Sequence, residues 1–420
     1  MAASKQLRIN DPHTIGLGHK LVLETIRRQN LIDCIINYVA RHRNIWNFRP
    51  EIRAFLRLYT YRVKFAGIDS YEKAARIAGL ARSIIGWRRL LDVEEFLGSL
   101  LSLNLKELYI DRSDSEKTSL RMFQPHWFVK YCFRLLGRHQ AIQYFKSTLS
   151  NPPTYVRINT LKLSEKESLE KLSQEGFLLE RVEGLKYTYK VINRQQPLIR
   201  TSSFKKGLFY IQDKASCLAA QIASPERDMT VLDLCSAPGA KTTYLAQQME
   251  NQGTIIAVDY SKRRMKIWKN AISRMGVDNT RPLIGDACNP LPLRKTKVDL
   301  VVLDPPCTST GAFSRMPSAK WRLSKRSVKR MAGVQWKMLT NCADHLEEGG
   351  SLVYSTCSVT VEENEMLIER FLRLKPEFIL VETQPRIGFP GLRGLTYCQR
   401  LYPHTHECNG FFVAKLAKID

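Results

Sequence analysis

Several things are scarce in this 420-residue sequence, and each scarcity excludes a class of protein. There is no run of about 18 or more apolar residues, so no membrane-spanning helix is expected. The opening MAASKQLRINDPHTIGLGHK has no apolar stretch of the kind a secretory leader needs, so none is expected either. The ten cysteines, at 34, 132, 217, 235, 288, 307, 342, 357, 398 and 408, include no CxxC pair. That is the usage of free thiols in a reducing cytosol, not of a disulfide framework. Internal repeats and low-complexity tracts are missing as well. Acidic side chains are few: 40 Asp+Glu stand against 65 Lys+Arg, a formal net charge of +25. Such an excess suggests a polyanionic partner, because Lys and Arg release counterions from phosphates. Charge alone does not separate RNA from DNA or an anionic membrane. Hydrophobic residues at 44% and charged residues at 25% exclude a largely disordered chain.

The charge is spread along the chain. Residues 1–110 carry 18 basic and 10 acidic side chains, residues 111–212 carry 18 and 9, and residues 213–420 carry 29 and 21. A basic tail is ruled out, and a broad positive surface, densest in the first half, is expected. Residues 16–110 read as about five helices, with apolar residues at spacings of three and four (Leu21, Leu23, Ile26, Leu31, Ile32, Ile35, Ile36) and Pro50 at a helix start. DRSDSEKT (111–118) reads as a polar linker, and 123–149 as helix. After Pro152-Pro153 a small α+β unit is expected, with strands at 155–159 and 187–192 around a helix at 165–175. From about 230, strands at 231–235, 254–258, 281–284, 298–303 and 351–355 alternate with helices at 240–250, 262–275, 326–346 and 362–373. Near-continuous apolar strands in that rhythm indicate a parallel sheet covered on both faces. GFFVAKL (410–416) has no helix before it, which suits an antiparallel last strand.

Three strand ends carry chemistry. LDLCSAPGAKT (232–242) is a buried strand running into a small-residue turn and a helix, where backbone can approach a ligand closely. Asp259 ends the next strand, placed to grip the two hydroxyls of a ribose, and Asp286 follows the third, placed to reach an adenine edge. This ordered set argues for an adenosine-containing ligand. With no GxGxxG and no evident pyrophosphate cradle, S-adenosyl-L-methionine is favoured over NAD. Asp304-Pro305-Pro306-Cys307 follows the strand VVL, with a carboxylate able to hydrogen-bond a cytosine and a thiol presented to the base. Tyr354-Ser355-Thr356-Cys357-Ser358 offers a second thiol, followed by Glu362-Glu363-Asn364-Glu365. C5 of a pyrimidine is not nucleophilic until a thiolate adds to C6. Two thiols, one adding and one assisting release, fit that chemistry, and the residues alone do not say which does which.

In order, LDLCSAPGAKT, VDYS, GDA, LDPPCTSTGAF, YSTCS and RLYPHTHECNGFF resemble the Sun/Fmu family of RNA cytosine-C5 methyltransferases over roughly 120–420. The resemblance implies a C-terminal α/β Rossmann-like class I methyltransferase domain (213–420). It makes Cys357 the residue that forms the covalent adduct and Cys307 the one that aids release. DNA cytosine methyltransferases use the cysteine of the PC motif instead. The family's donor site maps onto Cys235, Ser236, Ala237, Pro238, Gly239, Ala240, Lys241, Asp259, Arg264, Asp286 and Asp304. Asp304 is also the implied cytosine contact. Here the turn reads APGAK where many members have APGGK, which is tolerable if Ala240 begins the helix. Residues 1–115 resemble the all-α NusB-like RNA-binding domain of the ribosomal-RNA branch. Residues 116–212 resemble that branch's helical linker and small α+β RNA-binding subdomain, with Arg157 and Asn159 as candidate RNA contacts.

Ser314 to Arg330 holds seven basic residues and no acidic one, and Arg315, Lys320 and Arg322 among them are expected to meet phosphates beside the reactive base. Cys398, His404, His406 and Cys408 have no standard zinc spacing, so no metal is expected. The reading is therefore S-adenosylmethionine-dependent methylation of cytosine C5 in structured RNA, by a cytoplasmic monomer. Ribosomal RNA is the leading substrate and transfer RNA the rival. Other rivals are a non-catalytic RNA-binding or assembly factor, against which the thiol pair argues, and a Rossmann oxidoreductase.

Overall fold

Side chains that cap orphan amides start three helices of the first 150 residues, at Asp11, Ser70 and Ser113. The computed structural model describes residues 11–419 apart from 42, 69, 294 and 295. It divides into one compact unit ending at Leu149 and another beginning at Ser150. The first contains α1 (Pro12–Arg27), α2 (Gln29–Val39), α3 (Pro50–Phe65), α4 (Tyr71–Ile85), α5 (Trp87–Glu94), α6 (Leu97–Ser102), α7 (Asp114–Arg121) and α8 (His126–Ser147). Asp11 caps α1 by accepting from the amide of Thr14 (2.8 Å), and Pro50 opens α3. Leu31, Ile32, Ile35, Ile36, Leu56 and Leu100 bury their faces in one core. The segment 111–118 is not a linker. Ser113 and Glu116 form a reciprocal capping box (Ser113 N to the Glu116 carboxylate, 2.9 Å) that starts α7. That S-x-x-E signal lies in the sequence, but its polarity reads as loop. α8 is broken at Gly137, whose φ of +73° no helix interior adopts.

The second unit carries two sheets. The smaller has order β2-β3-β1-β4, all antiparallel, from β1 (Tyr155–Ile158), β2 (Phe177–Arg181), β3 (Thr188–Arg194) and β4 (Phe209–Ile211), with α9 (Glu165–Gln174) between β1 and β2. β2 and β4 were not expected, because neither alternates between apolar and polar residues. Next come α10 (Lys214–Ala223), β5 (Thr230–Leu234), α11 (Ala240–Gln248), β6 (Thr254–Asp259), α12 (Lys262–Met275), β7 (Thr280–Ile284) and β8 (Val298–Leu303). They lead into α13 (Lys325–Ala343), β9 (Leu346–Thr356), α14 (Glu365–Leu374), β10 (Phe378–Val381), β11 (Phe389–Pro390), β12 (Gln399–Leu401) and β13 (Phe411–Lys418). The order is β11-β12-β13-β9-β8-β5-β6-β7, with β10 beside β13. β7, β6, β5, β8 and β9 run parallel, and β13 lies antiparallel to β9. Successive strand residues face opposite cores: Val231, Ala257 and Val302 pack with Tyr244 and Trp268, while Leu232, Val258 and Leu303 pack with Leu339 and Phe371. Among the described residues no helix is long and apolar enough to cross a membrane.

Two expected RNA contacts are corrected by burial. Arg157 on β1 is 0% exposed. Its guanidinium donates to Gln212 Oε1 (3.0 Å), Thr243 Oγ1 (2.8 Å) and Gln247 Oε1, and lies 4.5 Å from the ring centroid of Tyr244. Asn159, also 0% exposed, donates to the carbonyls of Gly207 and Met275 (2.8 Å each). Both dock the small sheet onto α11 and α12, and neither can reach an RNA. Burial without a carboxylate partner lowers the Arg157 pKa. Arg157→Met should therefore cost about 3 kcal/mol or more in urea denaturation, at roughly 1–3 kcal/mol for each acceptor left unpaired. A variant of wild-type stability would restore the surface reading of this residue.

Candidate active site

Parallel pairing brings the carboxyl ends of β5, β6, β7, β8 and β9 to one edge of the sheet. Here β5 turns sharply through Cys235 (φ +62°) and Gly239 (φ +106°) into α11. A Cβ at Gly239 would stand 3.3 Å from Trp268 and 3.4 Å from Ala271, so the turn packs against α12 only with glycine there. Ala240 is the first residue of α11, where a methyl group is harmless. The Cys235 thiol contacts Met338 (4.0 Å) in the core, leaving its backbone to form the turn. The turn is braced by Ser236 N to Val258 O (3.0 Å), Gly239 N to Ser236 O (2.9 Å) and Tyr210 Oη to Pro238 O (3.4 Å).

Asp259, at the end of β6, accepts from the amides of Ala237 (3.3 Å) and Ser261 (3.0 Å). Arg264 pairs with it at 3.0 Å and also donates to Ala237 O, so this guanidinium ties the turn to the carboxylate. Asp286 follows β7 and closes its own turn, accepting from Cys288 N and Asn289 Nδ2 (3.0 Å each). A carboxylate beside a small-residue turn, here buried and held by Ala237, Ser261 and Arg264, and a second, exposed one a strand away are the residue types that the diol and base edge of an adenosyl group would need. The sequence reading missed the support beneath. Thr242 donates to Asp233 (2.5 Å) and accepts from Trp268 Nε1 (3.0 Å). Burial pushes the Asp233 carboxyl up to about 7.

The adjacent ends of β8 and β9 bring Cys307 and Cys357 together, Sγ to Sγ 3.2 Å. A hydrogen bond from Cys307 lowers the Cys357 pKa against burial, and the same contact plus burial holds Cys307 well above the ordinary thiol value. Of the two sulfurs, Cys357 is therefore the one that ionises more readily. Asp304 pairs with Lys241 and lies 3.4 Å from Ser355 Oγ. Burial opposes the Lys241 charge, but pairing with Asp304 outweighs it and raises the lysine pKa. The turn after Cys307 continues through Gly311, where a Cβ would meet Gly410 O at 1.9 Å. Gly311 must therefore be glycine for the Cys307 turn to pass the backbone of Gly410, just before β13.

Of the expected phosphate contacts, Lys320 is corrected: it is 0% exposed, with its ammonium 5.9 Å from the ring centroid of Phe313. Arg315 is exposed but donates to Pro153 O (2.9 Å) and lies 3.6 Å from Asp213. Arg322 and Arg330 rim a cleft of ≈ 310 Å³ that has Cys307 in its wall and Met316, Leu323 and Met331 as its apolar lining. Cys398 and Cys408 are buried in the apolar cores.

A family model described as 16S rRNA methyltransferase RsmB/F matches residues 220–417. The probable ribosomal RNA small subunit methyltransferase B of Synechocystis is 29% identical over 95% of this chain and 90% of its own length. The 25S rRNA (cytosine-C(5))-methyltransferase nop2 of Schizosaccharomyces pombe is 33% identical over 69% of this chain and 50% of its own. A solved methyltransferase homolog protein from Pyrococcus horikoshii aligns with a TM-score of 0.67 and 30% identity, covering 73% of this chain and all of its own.

The donor edge is testable in isolation. Asp259→Ala should weaken S-adenosylmethionine binding by roughly 10- to 100-fold, the value of about 1.5–3 kcal/mol for hydrogen bonds to a charged group. Unchanged affinity in calorimetry, with the fold intact by circular dichroism, would sink the placement of the donor at this edge.

Proposed function

The chain belongs to the 16S rRNA methyltransferase RsmB/F family, and from that premise we propose that it methylates C5 of a cytosine in ribosomal RNA through a covalent Cys357 adduct. The observation that carries this reading is the 3.2 Å thiol pair beside the Lys241–Asp304 pair, at the edge that fits the donor. Cys357, the thiolate, adds to C6, forming an S–C6 bond and moving the ring's electron pair toward C5. Asp304 accepts from the exocyclic amino group, and the Lys241 ammonium it holds compensates the negative charge that builds on the ring. When bound, S-adenosylmethionine supplies the electrophilic methyl group. Loss of the C5 proton to a base then returns the electron pair and expels the Cys357 thiolate. Cys307, in contact with that sulfur, carries the proton that assists its departure.

The helical unit reads as the NusB-like RNA-binding domain of this branch, and the small sheet as its RNA-binding subdomain, acting through side chains other than Arg157 and Asn159. The positive charge spread over 1–212 supports both roles. Free thiols and an RNA substrate support a cytoplasmic protein. Flanking phosphates are met by Arg322 and Arg330 at the rim of the cleft beside Cys307.

Two experiments follow, both using in-vitro-transcribed 16S ribosomal RNA. With S-adenosylmethionine, Cys307→Ala should accumulate a protein–RNA species that survives denaturing gels. Cys357→Ala and the double variant should give none and should not transfer a methyl group. Trapping by the Cys357 variant alone would exchange the two roles. In the second, the paired substitution Arg322→Ala and Arg330→Ala should lower the slope of log affinity against log salt by about 1.4–1.8, two phosphates at about 0.7–0.9 each. An identical slope would remove the cleft from the RNA path.

A further inference from the structure

Behind the two thiol turns lies a charged side chain that the chemistry above does not use. Glu363 is 0% exposed. Its Oε1 accepts from Thr308 N (2.8 Å) and Gln335 Nε2 (3.0 Å), and its Oε2 from Thr308 Oγ1 (2.5 Å), Ser358 Oγ (2.7 Å) and Thr360 Oγ1 (2.7 Å). The Thr308 amide and Gln335 Nε2 can only donate, and the three hydroxyls can donate as well, so both oxygens of the side chain are surrounded by donors. Thr308 directly follows Cys307 and Ser358 directly follows Cys357, so one carboxylate holds the residue next to each sulfur. Gln335 extends the grip, since it also donates to the carbonyl of Pro306 (3.0 Å). The turns are also joined by Gly311 N to Cys357 O and Val359 N to Thr310 Oγ1, 2.9 Å each, and by Ser358 Oγ with the hydroxyls of Thr310 (3.0 Å) and Thr308 (3.3 Å).

We propose that Glu363 is a positioning residue that clamps the two thiol turns together and makes Cys357, not Cys307, the nucleophile. The proposal rests on the reading of Cys357 as the residue that adds to C6. Its physical basis is an asymmetry of charge. Cys307 faces Cys357, the Glu363 carboxylate and the Ser309 amide. Cys357 faces Cys307, Asp304, the Ser309 hydroxyl at 3.7 Å, and Lys241. Glu363 opposes a negative charge on Cys307. On the Cys357 side Asp304 opposes it too, but the Ser309 hydroxyl and the Lys241 ammonium favour it. A negative charge shared between two touching sulfurs therefore settles on Cys357, and Cys307 keeps the proton it donates.

Labelling the full-length protein with iodoacetamide between pH 6 and 10, with peptide mass spectrometry at Cys307 and Cys357, tests this without any RNA. The wild type should label Cys357 faster. E363Q keeps the reach of the side chain but loses its charge. Its Cys357-to-Cys307 labelling ratio should fall about tenfold, equivalent to about 1.4 kcal/mol of lost charge interaction. Raising the pH should restore Cys357 labelling, which a collapsed site would not permit. T308V removes one clamp hydroxyl and leaves the carboxylate. It should slow Cys357 labelling by a smaller factor, and it decides the matter if E363Q does not fold. A wild-type ratio and pH profile in either folded variant would overturn the proposal. A protein that labels as expected yet methylates no ribosomal RNA would overturn the functional reading and leave the role of Glu363 standing.

Discussion

Everything at this site depends on two parallel strands lying side by side. β8 and β9 pair in register, with Leu303 opposite Tyr354, and each ends in a turn that carries a cysteine. Had another strand stood between them, the sulfurs would be separated by at least one further strand spacing of about 4.8 Å and could not share a proton. Contact at 3.2 Å turns two half-buried thiols into an unequal pair. Buried thiols without such a partner are simply pushed up by desolvation, as Cys342 and Cys408 are.

Holding that contact takes a polar network inside an apolar sheet. Glu363 gathers hydroxyls and an amide from both turns, and Asn364 beside it accepts from Thr356 Oγ1 (2.6 Å) and donates to Ser358 O (2.9 Å) and Thr360 O (2.7 Å). Glu365 then pairs with both sides of the Arg400 guanidinium, at 2.5 Å each. Three consecutive polar residues thereby anchor the Cys357 turn to the other turn, to itself and to β12. A buried network of this kind is stable only when its members are satisfied, so it permits little movement of the sulfurs. The small sheet is attached in the same manner, through Arg157 and Asn159 reaching side-chain and backbone acceptors of α11 and α12. Buried polar anchors, more than apolar fit alone, specify how these pieces meet.

Much was legible in the amino-acid sequence because its signals are local. The strand–helix alternation from 230 onward, the antiparallel last strand, the Pro-initiated helix at 50 and the turns bearing Asp259, Asp286 and both cysteines all follow from periodicity, small-residue turns and strand ends. The motifs that resemble the methyltransferase family are local strings as well. The helix at 114 was equally local, and its capping box was outweighed by the polarity of the surrounding residues.

What the sequence could not determine is what depends on partners far along the chain. Arg157 and Lys320 read as surface cations, since nothing near them in sequence says they are buried. Only the fold sets Gln247, Tyr244 and Phe313 around them. Glu363 is one acid of Glu362-Glu363-Asn364-Glu365 in the sequence, and its five donors come from 308, 335, 358 and 360. The unequal roles of the two cysteines are of the same kind. The sequence determined that two thiols end neighbouring strands of a methyltransferase-like sheet. Only the tertiary structure set one carboxylate between their two turns and a cation beside Cys357, because the charge around a buried group is a property of the space it occupies and not of its neighbours in the chain.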